Sequence, residues 1–294
     1  MSKTIKGIIL TLIAAVCWGL SGVAGEALMK SGDISSEWLV PVRLLSAGAL
    51  LMTHQAIVHK RHIFDVFKSG RDIIDLAVYS LCGIMLCQYT YFFTIERSNA
   101  GTATVLQYVA PVFIMAYTCL KEKRYPRFSE TICICLAMAG VFLIATNGNL
   151  NNLAISPTAL AVGLLSAVTV AIYSLQPVRL LKRFSPLYLL AWAFVVGGIV
   201  LAVMFEVWQY SPELDFQKLC LLAVTSVVGS ICGYGLYLSG LKLIGSTKAC
   251  LIGSAEPVAA ALFSAMFIGT SFSGLDIIGF AMIISTVVII TLVN

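Results

Sequence analysis

Charge is what this sequence has least of. Only 11% of its 294 residues are Asp, Glu, Lys or Arg, against about 25% in soluble globular domains. That deficit excludes a water-soluble fold. Room for a soluble domain is also missing, because the longest stretch between apolar runs is only about 15 residues. No CxxC pair, Cys/His cluster at metal spacing, phosphate loop, nucleophile elbow or HExxH occurs. Neither a metal nor another cofactor is therefore implied, and the chain has no nucleotide site with which to drive work by ATP hydrolysis. A membrane enzyme would need paired acid and base groups at one depth, and none is spaced that way. The three histidines, His54, His59 and His62, crowd one end of a single apolar run without an acidic or thiol partner at ligand spacing. They are expected to be solvated. Most of the nine cysteines lie inside apolar runs, where a thiol acts as a small hydrophobe.

What is present is apolar sequence, 59% of the chain at a mean hydropathy of +0.95. Windows of about 20 apolar residues mark membrane spans. Ten are read, at 5–28, 37–58, 73–95, 99–120, 128–146, 157–178, 186–208, 217–240, 246–269 and 274–293. The first continues through Trp18 and Gly19 and is too long for the apolar core of a signal peptide. With the N-terminus inside, fifteen Lys and Arg collect on the cytoplasmic side and three outside, Arg43 lying within a span. This positive-inside bias puts both termini in the cytoplasm. The net charge of +5 is thereby explained as orientation, without nucleic acid. Anionic lipid headgroups are the other partner such clusters suit.

The chain also repeats itself. A shift of 146 places Tyr91 on Tyr237, Ala103 on Ala249, Pro111 on Pro257 and Val112 on Val258, with Glu130 beside Asp276. Trp18 and Tyr173 take similar places in the first helix of each half. The expected division is 1–146, a linker at 147–156 outside the membrane, and 157–294. Five spans per half make the halves enter the membrane from opposite sides, an inverted repeat.

Between Lys248 and Asp276 the one formal charge is Glu256. If a helix starts at Ser246, the acid lies about 15 Å along it, near the middle of the hydrocarbon. A carboxylate there costs about 2.5–3.5 kcal/mol and faces protein or a watery cavity. Pro257 follows and bends the helix, and Pro111 does so in the other half. Glu256 has two readings: it carries a proton or meets a cationic substrate, or it is a bonded carboxyl that fixes the bend. Arg43, slightly outside the midplane, either binds a substrate carboxylate bidentately or neutralises Glu256. Gln88 and Gln107 sit in otherwise uncharged spans and need partners. Of the aromatics Trp18, Tyr89, Tyr91, Tyr108, Tyr173, Trp192, Tyr234 and Tyr237, those in a cavity would attract amines or stack on rings. Singly, each also reads as packing. Ser226, Gly229, Ser230 and Gly233 have the spacing of close helix packing. Lys248 and Glu26 read as boundary anchors.

The segments CWGLSG, VPVRLLSAGALL, IERSNAGTATVLQYVAP and GSAEPVAAALFSAMFIG resemble the EamA branch of the drug/metabolite transporter superfamily, and most of all its bacterial carboxylate/amino acid/amine subgroup. The resemblance spans both halves. It implies an all-α integral membrane protein of ten helices in two inverted repeats, with both termini cytoplasmic. It also implies a cell-membrane exporter of a small metabolite. One departure is that the Gly-Glu pair which many members carry after the fourth and ninth helices reads Lys121-Glu122 and Gly269-Thr270 here. The expected function is secondary transport of a small organic solute by alternating access, with Glu256, Arg43, Trp18, Gln88, Tyr91, Gln107, Tyr173 and Tyr237 as the candidate site. Protons enter as a candidate coupling ion. The alternatives are a proton-coupled multidrug or cation exporter and, with too few polar residues for a pore, a passive channel. Oligomeric state is not legible.

Overall fold

The computed structural model describes residues 2–30, 32–98, 100–146, 149, 156–268 and 273–292, and among these no strand occurs. Helices α1 (Lys3–Lys30) and α2 (Ser36–His59) are followed by a tight helical stretch, Lys60–Lys68. Helix α3 (Gly70–Ala77) widens into π-type turns at Val78–Met85 and continues as α4 (Leu86–Arg97). A turn at residues 108–109 separates α5 (Ala100–Gln107) from α6 (Ala110–Glu122), and α7 (Phe128–Thr146) follows. The second half has α8 (Pro157–Leu175), α9 (Pro186–Met204), α10 (Phe216–Ala223), π-type turns at Val224–Tyr234 and α11 (Gly235–Ile244). It ends with α12 (Ser246–Gly253), a turn at 254–255, α13 (Glu256–Ile268) and α14 (Gly274–Leu292).

Adding 146 to the starts of α3, α5, α6 and α7 gives the starts of α10, α12, α13 and α14, and the wide turns begin at Val78 and Val224. The repeat thus extends from residue matches to helix breaks. Among the described residues, six helical runs are long and apolar enough to cross a membrane: Lys3–Lys30, Gly70–Arg97, Pro157–Lys182, Pro186–Met204, Phe216–Ile244 and Ser246–Phe267. Phe128–Gly140 and Ile277–Thr286 are shorter apolar helices. The run expected at 186–208 ends as a regular helix at Met204, where Glu206 takes a left-handed backbone (φ 48°). Most of the 147–156 linker, together with Gly269 and Thr270, lies outside the described residues.

Local chemistry sets the helix starts. Ser156 and Ser185 each accept from the backbone N–H three residues on, at 3.2 Å. Pro157 and Pro186 occupy the next position, where a missing N–H is harmless. Asp215 caps α10 through the Lys218 N–H at 2.7 Å.

The halves exchange their first helices. Helix α1 packs on α11, α12, α13 and the second wide-turn stretch, while α8 packs on α4, α5, α6 and the first. Helix α2 lies along α9, and α7 along α14. The α2–α9 seam is close because glycines alternate across it. A Cβ on Gly48 would sit 3.0 Å from the Val195 nitrogen, and one on Gly198 3.1 Å from that of Leu45. Without a hydrophobic drive between helices in lipid, such backbone approach carries the association. At one end of the bundle the buried Asp72 accepts from Arg179 at 2.6 Å and from Arg183. Asp75 accepts from Arg179 and, at 3.0 Å, from Gln176. Two of the orientation arginines therefore also tie the halves together.

Candidate functional site

Helix breaks position the site. In an α-helix the Gly253 carbonyl would accept from the N–H of residue 257, but that residue is proline. The freed carbonyl is met from the other half by the Tyr108 hydroxyl, 2.7 Å away. The same hydroxyl lies 3.1 Å from Glu256 Oε2. Because the tyrosine has one proton, it donates to one of these oxygens at a time. Pro111 breaks the first half in the equivalent place, and Tyr108 lies in that break. Pro257 was expected to bend the helix beside the acid. The structure puts the turn at 254–255 and starts α13 at Glu256 itself.

Arg43 is held by the second wide-turn stretch. A π-type turn bonds residue i to i+5 instead of i+4, and here the Ser230 hydroxyl donates back to the Thr225 carbonyl at 3.3 Å. Arg43 Nη2 donates to that carbonyl at 3.0 Å. Its Nε and Nη2 lie 3.2 and 3.1 Å from Ser230 Oγ, and Nη2 lies 3.4 Å from Ser21 Oγ. The guanidinium rests on the Phe92 ring, 4.6 Å from its centroid. Among the described residues no carboxylate pairs with it, so the charge pairing with Glu256 weighed from axial depth is not formed here.

Four rings from three helical segments close around this place. Trp18 lies 5.1 Å from Tyr234 and 5.0 Å from Tyr237, and Tyr173 lies 5.5 and 5.7 Å from the same two rings, centroid to centroid. Offset and edge-on contacts of this kind suit aromatic quadrupoles. Tyr237 is anchored by Ser174 at 2.9 Å and Tyr91 by Thr104 at 3.2 Å. Gln107 donates to Ser166 at 2.7 Å.

The residues nominated from the sequence come together in two adjoining cavities. Trp18, Arg43, Gln88, Tyr91, Gln107, Tyr173 and Glu256 line the first, and Tyr237 lines the second, which shares Trp18, Gln107, Tyr173 and Glu256. Their free volumes are about 30 and 20 Å³, room for a water or two each. A wider cleft of about 520 Å³ opens at the end bearing Lys121, Arg124, Arg127 and Lys248. Glu130 and then Glu122 bond Arg124 there and push its pKa further up.

Other nominations fall elsewhere. Tyr89 packs on Phe93 and Phe205. Trp192 donates to the Ile63 carbonyl at 2.9 Å among Phe64 and Phe67. Glu26 pairs with Lys30 at 2.7 Å, and His62 meets Asp65 at 2.9 Å. The register of the first helices is also corrected. Gly83 abuts Tyr173, whereas Gly229, its partner at a shift of 146, abuts Ser21. Tyr173 therefore corresponds to Ser21, one turn beyond Trp18.

Sequence reasoning missed Ser21, Cys87, Phe92 and Ser166 as members of the site, none of them unusual in an apolar helix. The spacing of the small residues Ser226, Gly229, Ser230 and Gly233 points to close helix packing at a moving interface. They do allow a close approach, but what approaches is Ser21, Arg43 and Trp18.

This chain has relatives. The model of the EamA-like transporter family matches twice, at residues 5–146 and 157–292. The uncharacterized inner membrane transporter YicL of Salmonella typhimurium is 36% identical over 99% of this chain and 97% of its own length. The uncharacterized transporter YwfM of Bacillus subtilis is 24% identical over 95% of this chain and 92% of its own. One solved crystal structure superposes with a TM-score of 0.79 at 15% identity, covering 98% of this chain and 96% of that one, and shows the shared fold. YicL is named as an inner membrane transporter, and the apolar helices of this chain make it a multi-pass membrane protein. Two matched copies of one family, filling nearly all of the described helices, make this chain a member of the EamA-like transporter family, within the drug/metabolite transporter superfamily.

Proposed function

We propose that this chain is a secondary transporter that exports a small organic metabolite (an amino acid, amine or carboxylate) by alternating access. Its ten spans form two inverted five-helix repeats with both termini cytoplasmic, the arrangement that the fifteen-to-three charge bias favours. The observation that carries the reading is the convergence of both halves on one cavity. Trp18, Arg43, Gln88, Tyr91 and Gln107 come from the first half, and Tyr173 and Glu256 from the second. A site on the seam between repeats is what rocking one half against the other alternately exposes. A channel needs a continuous polar pore, and the few polar residues of the apolar spans argue against one.

Counterflow tests this. Proteoliposomes preloaded with unlabelled metabolites should take up the labelled compound faster than empty ones, because a carrier returns loaded. Flux without such stimulation would sink the carrier and favour a channel. A second reading, a proton-coupled multidrug or cation exporter, is favoured by the placement of Glu256 between Tyr108 and the cavity. There drug and proton would compete for one carboxyl.

A further inference from the structure

Three buried nitrogen donors on the wall of the central cavity have no protein partner: Arg43 Nη1, Gln88 Nε2 and Trp18 Nε1. They come from α2, α4 and α1. Two of the three side chains border the same wide-turn stretch. Gly229 and Gly233 lie about one turn apart on the second wide-turn stretch. A Cβ on Gly229 would lie 3.0 Å from Arg43 Nη2, and one on Gly233 2.5 Å from Trp18 Nε1. Gln88 stands one helical turn before Phe92, the ring under the guanidinium.

A buried N–H left unpaired costs about 1–3 kcal/mol, and a buried cation without an anion costs more. Inside a membrane such groups mark the path of a substrate or ion. The fully buried side-chain atoms on this cavity that lack a partner are donors, and among the described residues the guanidinium beside them is bonded by Ser21, Ser230 and the Thr225 carbonyl and rests on Phe92. The complementary group is a small anion rich in acceptor oxygens.

We propose that this arm of the cavity is the subsite for a carboxylate carried by the transported solute, an assignment that rests on the transporter reading above. A carboxylate offers about four lone-pair positions. The five N–H groups of Arg43 Nη1, Gln88 Nε2 and Trp18 Nε1 are enough to serve them. A phosphate dianion would bring two negative charges against the one guanidinium on this cavity. The single charge of a carboxylate balances Arg43 alone.

The test uses the detergent-purified chain and the head group by itself, at millimolar concentration and matched ionic strength. Sodium acetate is compared with acetamide, methylammonium, chloride and phosphate by thermal unfolding, where a ligand of the folded state raises the midpoint. Acetate alone is expected to raise it, and Arg43→Gln to abolish the rise. Gln88→Leu and Trp18→Phe each remove one donor and are expected to weaken apparent acetate affinity about 10-fold or more. They decide the matter if the Arg43 variant does not fold. Equal shifts with acetamide or chloride, a larger shift with phosphate, or an unchanged acetate response in the variants would each overturn the subsite. The carrier reading fails separately. Arg43-dependent acetate binding without counterflow keeps the subsite and removes the carrier, whereas counterflow without acetate binding does the reverse.

Discussion

The Tyr108 hydroxyl, in the helix break of the first half, lies 2.7 Å from the Gly253 carbonyl, at the helix break of the second. Pro257 cannot supply the N–H which that carbonyl would otherwise accept, so the defect in one repeat is satisfied by the defect in the other. The same hydroxyl reaches Glu256, at 3.1 Å. The one phenolic proton is thus shared between the acid and the break, serving one oxygen at a time.

Tyr108→Phe is expected to leave the Gly253 carbonyl unpaired at a cost of about 1–3 kcal/mol. The thermal midpoint of the purified protein should fall accordingly. An unchanged midpoint would mean that the bond between the breaks contributes nothing.

Glu256 separates coupling from structure through two variants. Glu256→Gln keeps the shape and hydrogen-bonding capacity but carries no exchangeable charge. If the acid is the proton site, this variant loses gradient-driven transport in proteoliposomes and keeps ligand binding. If the acid only fixes the break, Gln keeps the proton dependence and Glu256→Leu loses membrane abundance instead. Full proton-driven transport in the Gln variant removes Glu256 from coupling.

Gly229 tests the close approach at Arg43. A Cβ there would overlap Ser21 Oγ and Cβ, so Gly229→Ala is expected to abolish transport. Adding Ser21→Gly removes the obstructing atoms, and the double variant should recover a measurable part of the activity. Contacting residues couple in this way. Additive losses would show that the two positions act independently.

Trp18 and Tyr237 are ring neighbours at 5.0 Å on adjoining cavities. Alanine at either is expected to weaken ligand binding about 2- to 10-fold while the protein still reaches the membrane, since an aromatic pair contributes about 0.5–1.5 kcal/mol beyond its area. Normal transport in both variants would make these rings packing alone.

Cysteine labelling should place residues 59–71 and 121–127 inside and 147–156 outside. An outside 59–71 loop would contradict the charge bias and end the proposed topology.

Much of this was legible in the sequence because the membrane makes polarity expensive. Glu256, Arg43, Gln88 and Gln107 stand out in apolar runs for that reason, and the prolines mark the breaks because a missing N–H acts wherever the chain lies. Local chemistry of this kind determined the helices, the membrane class and the 146-residue repeat. The aromatics show the limit. Tyr89 and Tyr91 are two residues apart in one helix, yet one packs on Phe205 while the other lines the cavity. Which face meets the other half depends on packing between segments remote in sequence. The same is true of Ser21 and Phe92, common residues that matter only through Arg43. The sequence by itself determined that a buried arginine and a buried carboxylate had to be accommodated. Only the tertiary structure decided that they are kept apart. The wide turns at Val224–Tyr234 present a carbonyl and a hydroxyl to Arg43, and the crossing of the two breaks gives Glu256 to Tyr108.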